Sequence, residues 1–313
     1  LAVSMIAGCG SDNTADTSTS ADTTADASTD AAADTTADTT AEEAPAATTD
    51  FDASEYVNVL SREDGSGTRG AFIELFGIEE KDADGNKVDN TTEEAIITNS
   101  TSVMLTSVAS DEYAIGYVSL GSLDDTVKAV SIDGAEATVE NIKNGTYTIA
   151  RPFNIATKKG LDNEVAKDFI NFIMSKEGQE VVAENGYIGD DSAAAFSGSN
   201  PSGKVVVGGS SSISPVMEKL IEAYKAVNGN AEIELQTTDS TTGMTSAIDG
   251  SYDIGMASRE LKDEEAAELD SQVIATDGIA VIVNKANTTD ELSGDQVKAI
   301  YTGEALTWDE VVE

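Results

Sequence analysis

The sequence predicts an α/β fold beyond residue 51, and three features predict it. Short β-branched runs alternate with stretches of helical periodicity, polar Gly/Ser/Thr turns stand between strand and helix at three places, and a Gly/Ser-rich, Pro-containing segment at 189–203 separates two such blocks.

Taken in order, Tyr56, Val57, Val59 and Leu60 read as a strand. The polar turn Ser61-Arg62-Glu63-Asp64-Gly65-Ser66-Gly67-Thr68-Arg69 follows, and then a helix carrying Phe72, Leu75 and Phe76. Residues 114–118 form a second strand-like run. One amphipathic helix is expected over 164–184, with Val165, Phe169, Phe172 and Ile173 apolar. Beyond the 189–203 linker, the strand at 204–207 leads through Gly209-Ser210-Ser211-Ser212-Ile213-Ser214-Pro215 into a helix whose Met217, Leu220, Ile221 and Tyr224 share one face. Ser214-Pro215 supplies its cap and first-turn signal. A strand at 232–235 runs into Thr238-Asp239-Ser240-Thr241-Thr242-Gly243-Met244, and 279–283 is a further strand.

Composition narrows the function. The 313 residues carry 58 Asp and Glu against 18 Lys and Arg, a formal net charge of -40 that repels nucleic acids and anionic membrane surfaces. There is no histidine and a single cysteine, so Cys/His zinc sites, disulfides within the chain and histidine-dependent triads are excluded by inventory. Only four arginines exist, and Arg62 and Arg69 bracket the first polar turn. An oxyanion site in so acidic a chain must rest on directed donors: backbone N–H groups at helix N-termini, hydroxyls and a guanidinium.

Residues 1–9 end in Ile6-Ala7-Gly8-Cys9, an apolar stretch closing in small residues before a cysteine, as at the end of a lipoprotein signal peptide, which makes Cys9 the candidate lipidation site. Residues 10–50 are almost wholly Ala, Thr, Ser and Asp, without a large apolar side chain to bury, and are expected to form a disordered tether.

The three polar turns, with Asp253-Ile254-Gly255-Met256-Ala257-Ser258-Arg259, the run Ala275-Thr276-Asp277-Gly278-Ile279 and Arg151-Pro152-Phe153-Asn154, resemble the phosphate-binding proteins of bacterial ABC importers over nearly everything from 51 to 313. The resemblance implies a type 2 periplasmic-binding-protein-like fold, with two α/β lobes closing on inorganic phosphate and no chemistry performed on it. In that family the Gly/Ser-rich strand–helix element comes first and the Asp-Gly-Ser-Gly-Thr motif follows. Here the order is reversed, so the sequence reads as a circular permutation, with 51–151 and 284–313 forming lobe II and 152–283 lobe I. A fragment cut from a tandem pair is the alternative.

Carried over by position, the resemblance implies phosphate contacts from Ser211, Ser212 and Thr241, and from Arg62, Ser66, the backbone N–H of Gly67, and Thr68. Asp64 is implied to orient Arg62. Ser258 and Arg259 fall where many relatives carry a serine and then an acid that accepts phosphate's proton. With arginine there, either Asp64 or Glu63 supplies the acceptor, or Arg259 pairs with the ligand or with a neighbouring acid; the sequence leaves these open.

Two decoys are set aside. Gly65-x-Gly67-x-x-Gly70 matches a dinucleotide fingerprint without the acid-ending strand that should follow, and Asp82-Ala83-Asp84-Gly85-Asn86 reads as a solvated hairpin turn, its glycine misplaced for a calcium loop. The expectation is therefore a monomeric, lipid-anchored, extracytoplasmic receptor, neither an enzyme nor a cofactor or metal protein, delivering phosphate to the permease and ATPase subunits of an ABC importer. Its rivals are a receptor for sulfate or molybdate and a non-transport surface or sensory module.

Overall fold

In the computed structural model, which describes residues 51–312, strand β1 (Asn58–Arg62) runs into helix α1 (Gly67–Leu75). A hairpin of β2 (Glu79–Lys81) and β3 (Lys87–Asp89) precedes β4 (Ile96–Thr98), α2 (Thr101–Ser110) and β5 (Ala114–Ser119). After a 3-10 turn at Leu120–Ser122 come β6 (Lys128–Ala129), β7 (Ser131–Ile132), α3 (Val139–Lys143) and the long β8 (Ala150–Lys158). Helices α4 (Glu164–Ile173) and α5 (Lys176–Glu184) lead through the coil to β9 (Gly203–Ser210), α6 (Ser214–Val227), β10 (Ala231–Thr238), α7 (Ser240–Asp249), β11 (Ile254–Ala257) and α8 (Asp263–Glu268). The longest strand, β12 (Leu269–Val283), precedes β13 (Glu291–Leu292), α9 (Gly294–Thr302) and α10 (Trp308–Val312). Cys9, the 1–9 segment and the 10–50 tether lie outside the described residues.

The strands order as β10-β9-β11-β8-β12-β5-β1-β4, with β6 added on β12. β9, β10 and β11 are mutually parallel, as are β5, β1 and β4, the arrangement that helical crossovers impose. Between these halves run β8 and β12, antiparallel to each other: β12 pairs with β8 from Leu269 to Gly278, then with β5 from Ile279 to Val283. One strand thus belongs to both lobes.

The core divides accordingly. Phe153, Phe169, Phe172, Val207, Leu220, Tyr224 and Ile254 pack in one cluster, while Phe72, Tyr117, Tyr301, Trp308, Ile279 and Val281 pack in another. Phe72 stacks on Tyr117 at 3.9 Å between ring centroids. The change of core falls within β12, at Asp277–Ile279, and not at Val283 where lobe I was expected to end. Ile279, Val281 and Val283 pack on one face in the cluster of Phe72 and Tyr301, and Ala280 and Ile282 on the other in the cluster of Met104 and Val108, a placement which the local sequence, apolar throughout, does not encode.

The helix expected over 164–184 is two helices. Ser175 ends α4 and caps α5: its hydroxyl donates to Phe172 O at 2.7 Å and accepts from Gly178 N at 3.3 Å. Ser214 does not cap α6 but is its first residue, with Pro215 in the first turn. The turn at Asp82 is the expected hairpin tip, its carboxylate accepting from the backbone of Asp84 and Asn86. Among the described residues no helix is long and apolar enough to cross a membrane.

Candidate oxyanion site

Four helices begin at one place where the lobes meet: α1 and α2 from one lobe, α6 and α7 from the other. Each is at least two turns long, so each presents unpaired N–H groups and the positive end of its dipole. The sequence folds this way locally because each parallel strand ends in a run of Gly, Ser, Thr or Asp. Such residues compete poorly for the ladder and favour caps and turns. Ser66 caps α1, accepting from Arg69 N at 3.3 Å; Ser100 caps α2 and Asp239 caps α7.

Arg62 lies at the centre. It ends β1 and is only 2% exposed, and its backbone N–H donates to the hydroxyl of buried Tyr117 at 3.1 Å. Its Nε and Nη2 grip the Glu63 carboxylate at 2.8 Å each, and Nη2 also donates across the lobe junction to Ser211 Oγ at 3.1 Å. Around it, Thr68 Oγ1 and Ser212 Oγ share a hydrogen bond of 2.8 Å, again between lobes. Thr101 N donates to Ser211 Oγ at 3.3 Å, and Thr101 Oγ1 bonds both Ser211 and Ser212 at the same distance. Ser210 Oγ donates to Ser258 Oγ at 2.9 Å, and Ser258 N donates to Ser240 Oγ at 3.1 Å. All seven hydroxyl residues are buried. Hydroxyls both donate and accept, so such a cluster can turn its O–H groups toward an anion without leaving any group unpaired.

Two glycines make this approach possible. A Cβ on Gly67 would fall 2.8 Å from Ser258 Oγ and closer still to Ser240 Oγ; a Cβ on Gly65 would collide with the Asp239 carboxylate. Gly65 O also accepts from Thr241 N at 3.1 Å, tying the first polar turn to the start of α7.

The structure therefore gathers Arg62, Gly67, Thr68, Ser211, Ser212 and Ser258, with Ser66 at the helix cap. Thr241 lies at the rim, its N–H on Gly65 and its hydroxyl accepting from Arg259 Nη2 at 3.4 Å. Two expected residues stand elsewhere. Asp64 does not orient Arg62: its side chain is 98% exposed and pairs with Arg69 Nη1 at 2.7 Å, because the turn after β1 points it outward. Glu63, the immediate neighbour, takes that role. Arg259 is held by Glu265, both Nη1 and Nη2 donating to its carboxylate at 2.7 Å, a bidentate pair almost out of solvent. Burial opposes ionisation of Glu265, but hydrogen bonds from Arg259 and from Lys262 N outweigh it and hold its pKa below the usual value.

Sequence reasoning missed Thr101, Ser210 and Ser240. Each sits among Ser and Thr at a strand end or helix start, where a ligand-facing hydroxyl and a plain cap read alike. It also missed the buried pair of Arg151 and Asp277, for which a signal existed: a charged residue beside apolar runs, Arg151 before Phe153 and Asp277 before the apolar 279–283, must find a partner if it is buried.

Among the described residues no three His, Cys, Asp or Glu gather as a metal site. The family model described as a PBP superfamily domain matches residues 50–177 and 194–312. The chain is 59% identical to the phosphate-binding protein PstS 2 of Streptococcus agalactiae over 256 residues, covering 82% of this chain and 87% of that protein. It is 44% identical to PstS 2 of Streptococcus pneumoniae over 260 residues, covering 83% and 89%. The crystal structure of a phosphate ABC transporter phosphate-binding protein from S. pneumoniae superposes with a TM-score of 0.65 at 44% identity, over 82% of this chain and all of that one. With a family model spanning both lobes and relatives matched over most of their length, this chain belongs to the PBP superfamily, in the family of the streptococcal phosphate-binding proteins.

Proposed function

We propose that this chain is an extracytoplasmic receptor that binds inorganic phosphate between its lobes and hands it to the permease and ATPase subunits of an ABC importer. The observation that carries the reading is Arg62, buried among hydroxyls and helix N-termini contributed by both lobes. A tetrahedral oxyanion placed there meets donors from several directions and one fixed positive charge, with water excluded, so little net charge is needed to offset its desolvation. The names of the streptococcal relatives support phosphate as the ligand and an importer as the partner. Arg62, Ser66, the Gly67 N–H, Thr68, Ser211, Ser212 and Ser258 are the proposed contacts, with Thr241 at the rim. Asp64 and Arg259 act on the surrounding loops.

The same reading makes the protein a receptor and not an enzyme, a monomer anchored through a lipid on Cys9, with lobes near 51–151 plus 279–313 and 152–278. Circular permutation is part of the proposal. It is supported by Val57 N donating to Leu306 O at 2.8 Å, which lays the two ends of the described chain side by side, and by the exposed coil that joins α5 to β9. A second reading, sulfate or molybdate, draws on one observation. Arg259 fills the position of the family's proton-accepting acid, and both Glu63 oxygens are engaged by Arg62.

Calorimetric titration of the phosphate-stripped chain with phosphate, then sulfate and molybdate, tests both readings. Phosphate is expected to bind one to one and the others far more weakly. Arg62→Ala removes the charged donor at the centre and is expected to cost about 2–5 kcal/mol of affinity while the protein stays folded. Unchanged affinity in that variant refutes the site, and tighter binding of sulfate than of phosphate refutes the ligand.

A further inference from the structure

Beside the hydroxyl cluster lies a second group of buried polar side chains that the proposed contacts do not use. Arg151 of β8 stands opposite Asp277 in the β8–β12 ladder, and its Nη2 donates to Asp277 Oδ2 at 3.1 Å. Ser119, the last residue of β5, donates to Asp277 Oδ1 at 3.0 Å. Arg151 is 3% exposed and Asp277 1%. Arg151 Nε and Nη1 have no partner among the described residues, and neither do the buried hydroxyls of Tyr187 and Ser122. The guanidinium lies 5.4 Å from the centre of the Phe153 ring, and a Cβ on Gly121 would run into the Tyr187 ring.

This group adjoins the oxyanion site. β5 pairs in parallel with β1, so Ser119 ends one strand and Arg62 ends its neighbour, and β12 pairs with β5 at Ile279–Ser119. The Arg62 charge is close enough to disfavour that of Arg151. The charged group facing Asp277 is Arg151 on β8, and Arg62 on β1 acts on Arg151 in turn. Tyr147 and Tyr187 face it in neutral form, burial holding both phenols above their usual pKa. Two strong positive charges therefore sit near each other out of water, where electrostatic fields are weakly screened, and an ionised Asp277 nullifies one of them.

We infer that the Arg151–Asp277 pair sets the strength of the oxyanion site, Arg151 adding a second positive charge beside it and Asp277 cancelling most of that charge. The inference rests on the proposed function. Asp277 is poised for this part: burial pushes its pKa up to about 6 against the opposing pull of Arg151 and the Ser119 hydroxyl. Its protonation turns a neutral pair into a cation, and by linkage an anion bound next door favours that protonation.

The test is phosphate titration of three proteins at about pH 7.5: wild type, Asp277→Asn and Arg151→Met. Asparagine keeps the size and removes the negative charge, so binding should tighten by roughly threefold to tenfold; Arg151→Met removes the charge that keeps the buried Asp277 ionised, so Asp277 takes up a proton and affinity should stay within about twofold of wild type. A pair that merely holds β8 to β12 predicts no tightening in Asp277→Asn, and that result overturns the inference. No binding by folded wild type would overturn it together with the proposed function; binding by wild type isolates the two. Should a variant fail to fold, calorimetry of the wild type at about pH 6 in two buffers of different ionisation enthalpy reads the same coupling. Proton uptake beyond that set by phosphate's own ionisation is expected, and none would overturn it.

Discussion

Gly65→Ala isolates lobe closure from ligand contact. The added methyl would lie 2.5 Å from Asp239 Cγ, in the opposite lobe, closer than a Cβ tolerates. Gly65 is not in the left-handed region, so the backbone accepts alanine and the conflict is purely steric. Relief is available in two ways. Asp239 can swing aside, giving up its cap on α7, in which Oδ1 accepts from Thr242 N at 2.9 Å; that costs about 1 kcal/mol. Alternatively the lobes can part, stretching the bond from Thr241 N to Gly65 O and loosening the hydroxyl contacts behind it, at about 1 kcal/mol for each bond weakened. Either route penalises the closed state by about 1–2 kcal/mol, or roughly 5- to 30-fold in phosphate affinity. An open form has no such clash, so thermal stability without ligand should barely move. Calorimetry gives the affinity and small-angle scattering the fraction closed. Combining the change with Asp239→Ala should recover most of the loss, as removal of the colliding group requires. Full affinity in Gly65→Ala alone would mean that Gly65 and Asp239 do not meet in the liganded protein.

Gly67→Ala should weaken phosphate binding at least tenfold through its collision with Ser240 and Ser258, while alanine in the first turn of α1 leaves thermal stability unchanged or raised by about 0.5–1 kcal/mol; lost stability with intact affinity would contradict this. Arg259→Ala leaves Glu265 nine-tenths buried without its charge partner, so stability should fall by about 3 kcal/mol with phosphate affinity reduced only a few-fold. A loss as large as that in Arg62→Ala would make Arg259 a ligand. Glu265 and Asp277 give stability opposite pH slopes. Glu265, its pKa depressed, contributes stability above its unfolded value of 4.5 that is lost as pH falls through the folded value. Asp277, its pKa raised from 3.8 to about 6, contributes stability below 3.8 that is lost as pH rises through about 6. Denaturant melts of Glu265→Gln and Asp277→Asn across that window should each remove one slope.

The strand–turn–helix units were legible because strand, polar turn and apolar helix face are all local signals. Met217, Leu220, Ile221 and Tyr224 are buried on one face of α6 as their spacing requires. What was not legible is non-local. The β-branched run at 279–283 could be read, but the extension of β12 back to Leu269 depends on β8, whose residues lie more than a hundred positions away. The single helix expected at 164–184 breaks at Ser175 because the lone serine finds Phe172 O and Gly178 N, an alternative to helix continuation that periodicity does not register. The orientation of Arg62 by Glu63 and not Asp64 is a matter of one residue's direction in a turn. Both carboxylates are within reach in the sequence, and only the backbone path after β1 sends Asp64 into solvent.

That same choice bears on how a chain with a formal net charge of -40 can hold an anion at all. Were attraction delivered by a basic surface, the site would fail against the summed field and fade with salt. Here each guanidinium near the site is paired at close range, Arg62 with Glu63, Arg151 with Asp277 and Arg259 with Glu265, so the region carries little net charge. What remains is directional: four helix N-termini, seven hydroxyls and the faces of Arg62 that Glu63 leaves free, all aimed at one small volume. Fixed dipoles at contact distance act within a few ångströms, well inside the roughly 8–10 Å over which physiological salt screens charge. Phosphate affinity should therefore change little between low and moderate ionic strength. A rise of about tenfold over that range would mean that repulsion by the distant acidic surface, and not the local donors, governs binding; a drop of that size would mean that long-range attraction by positive charge does.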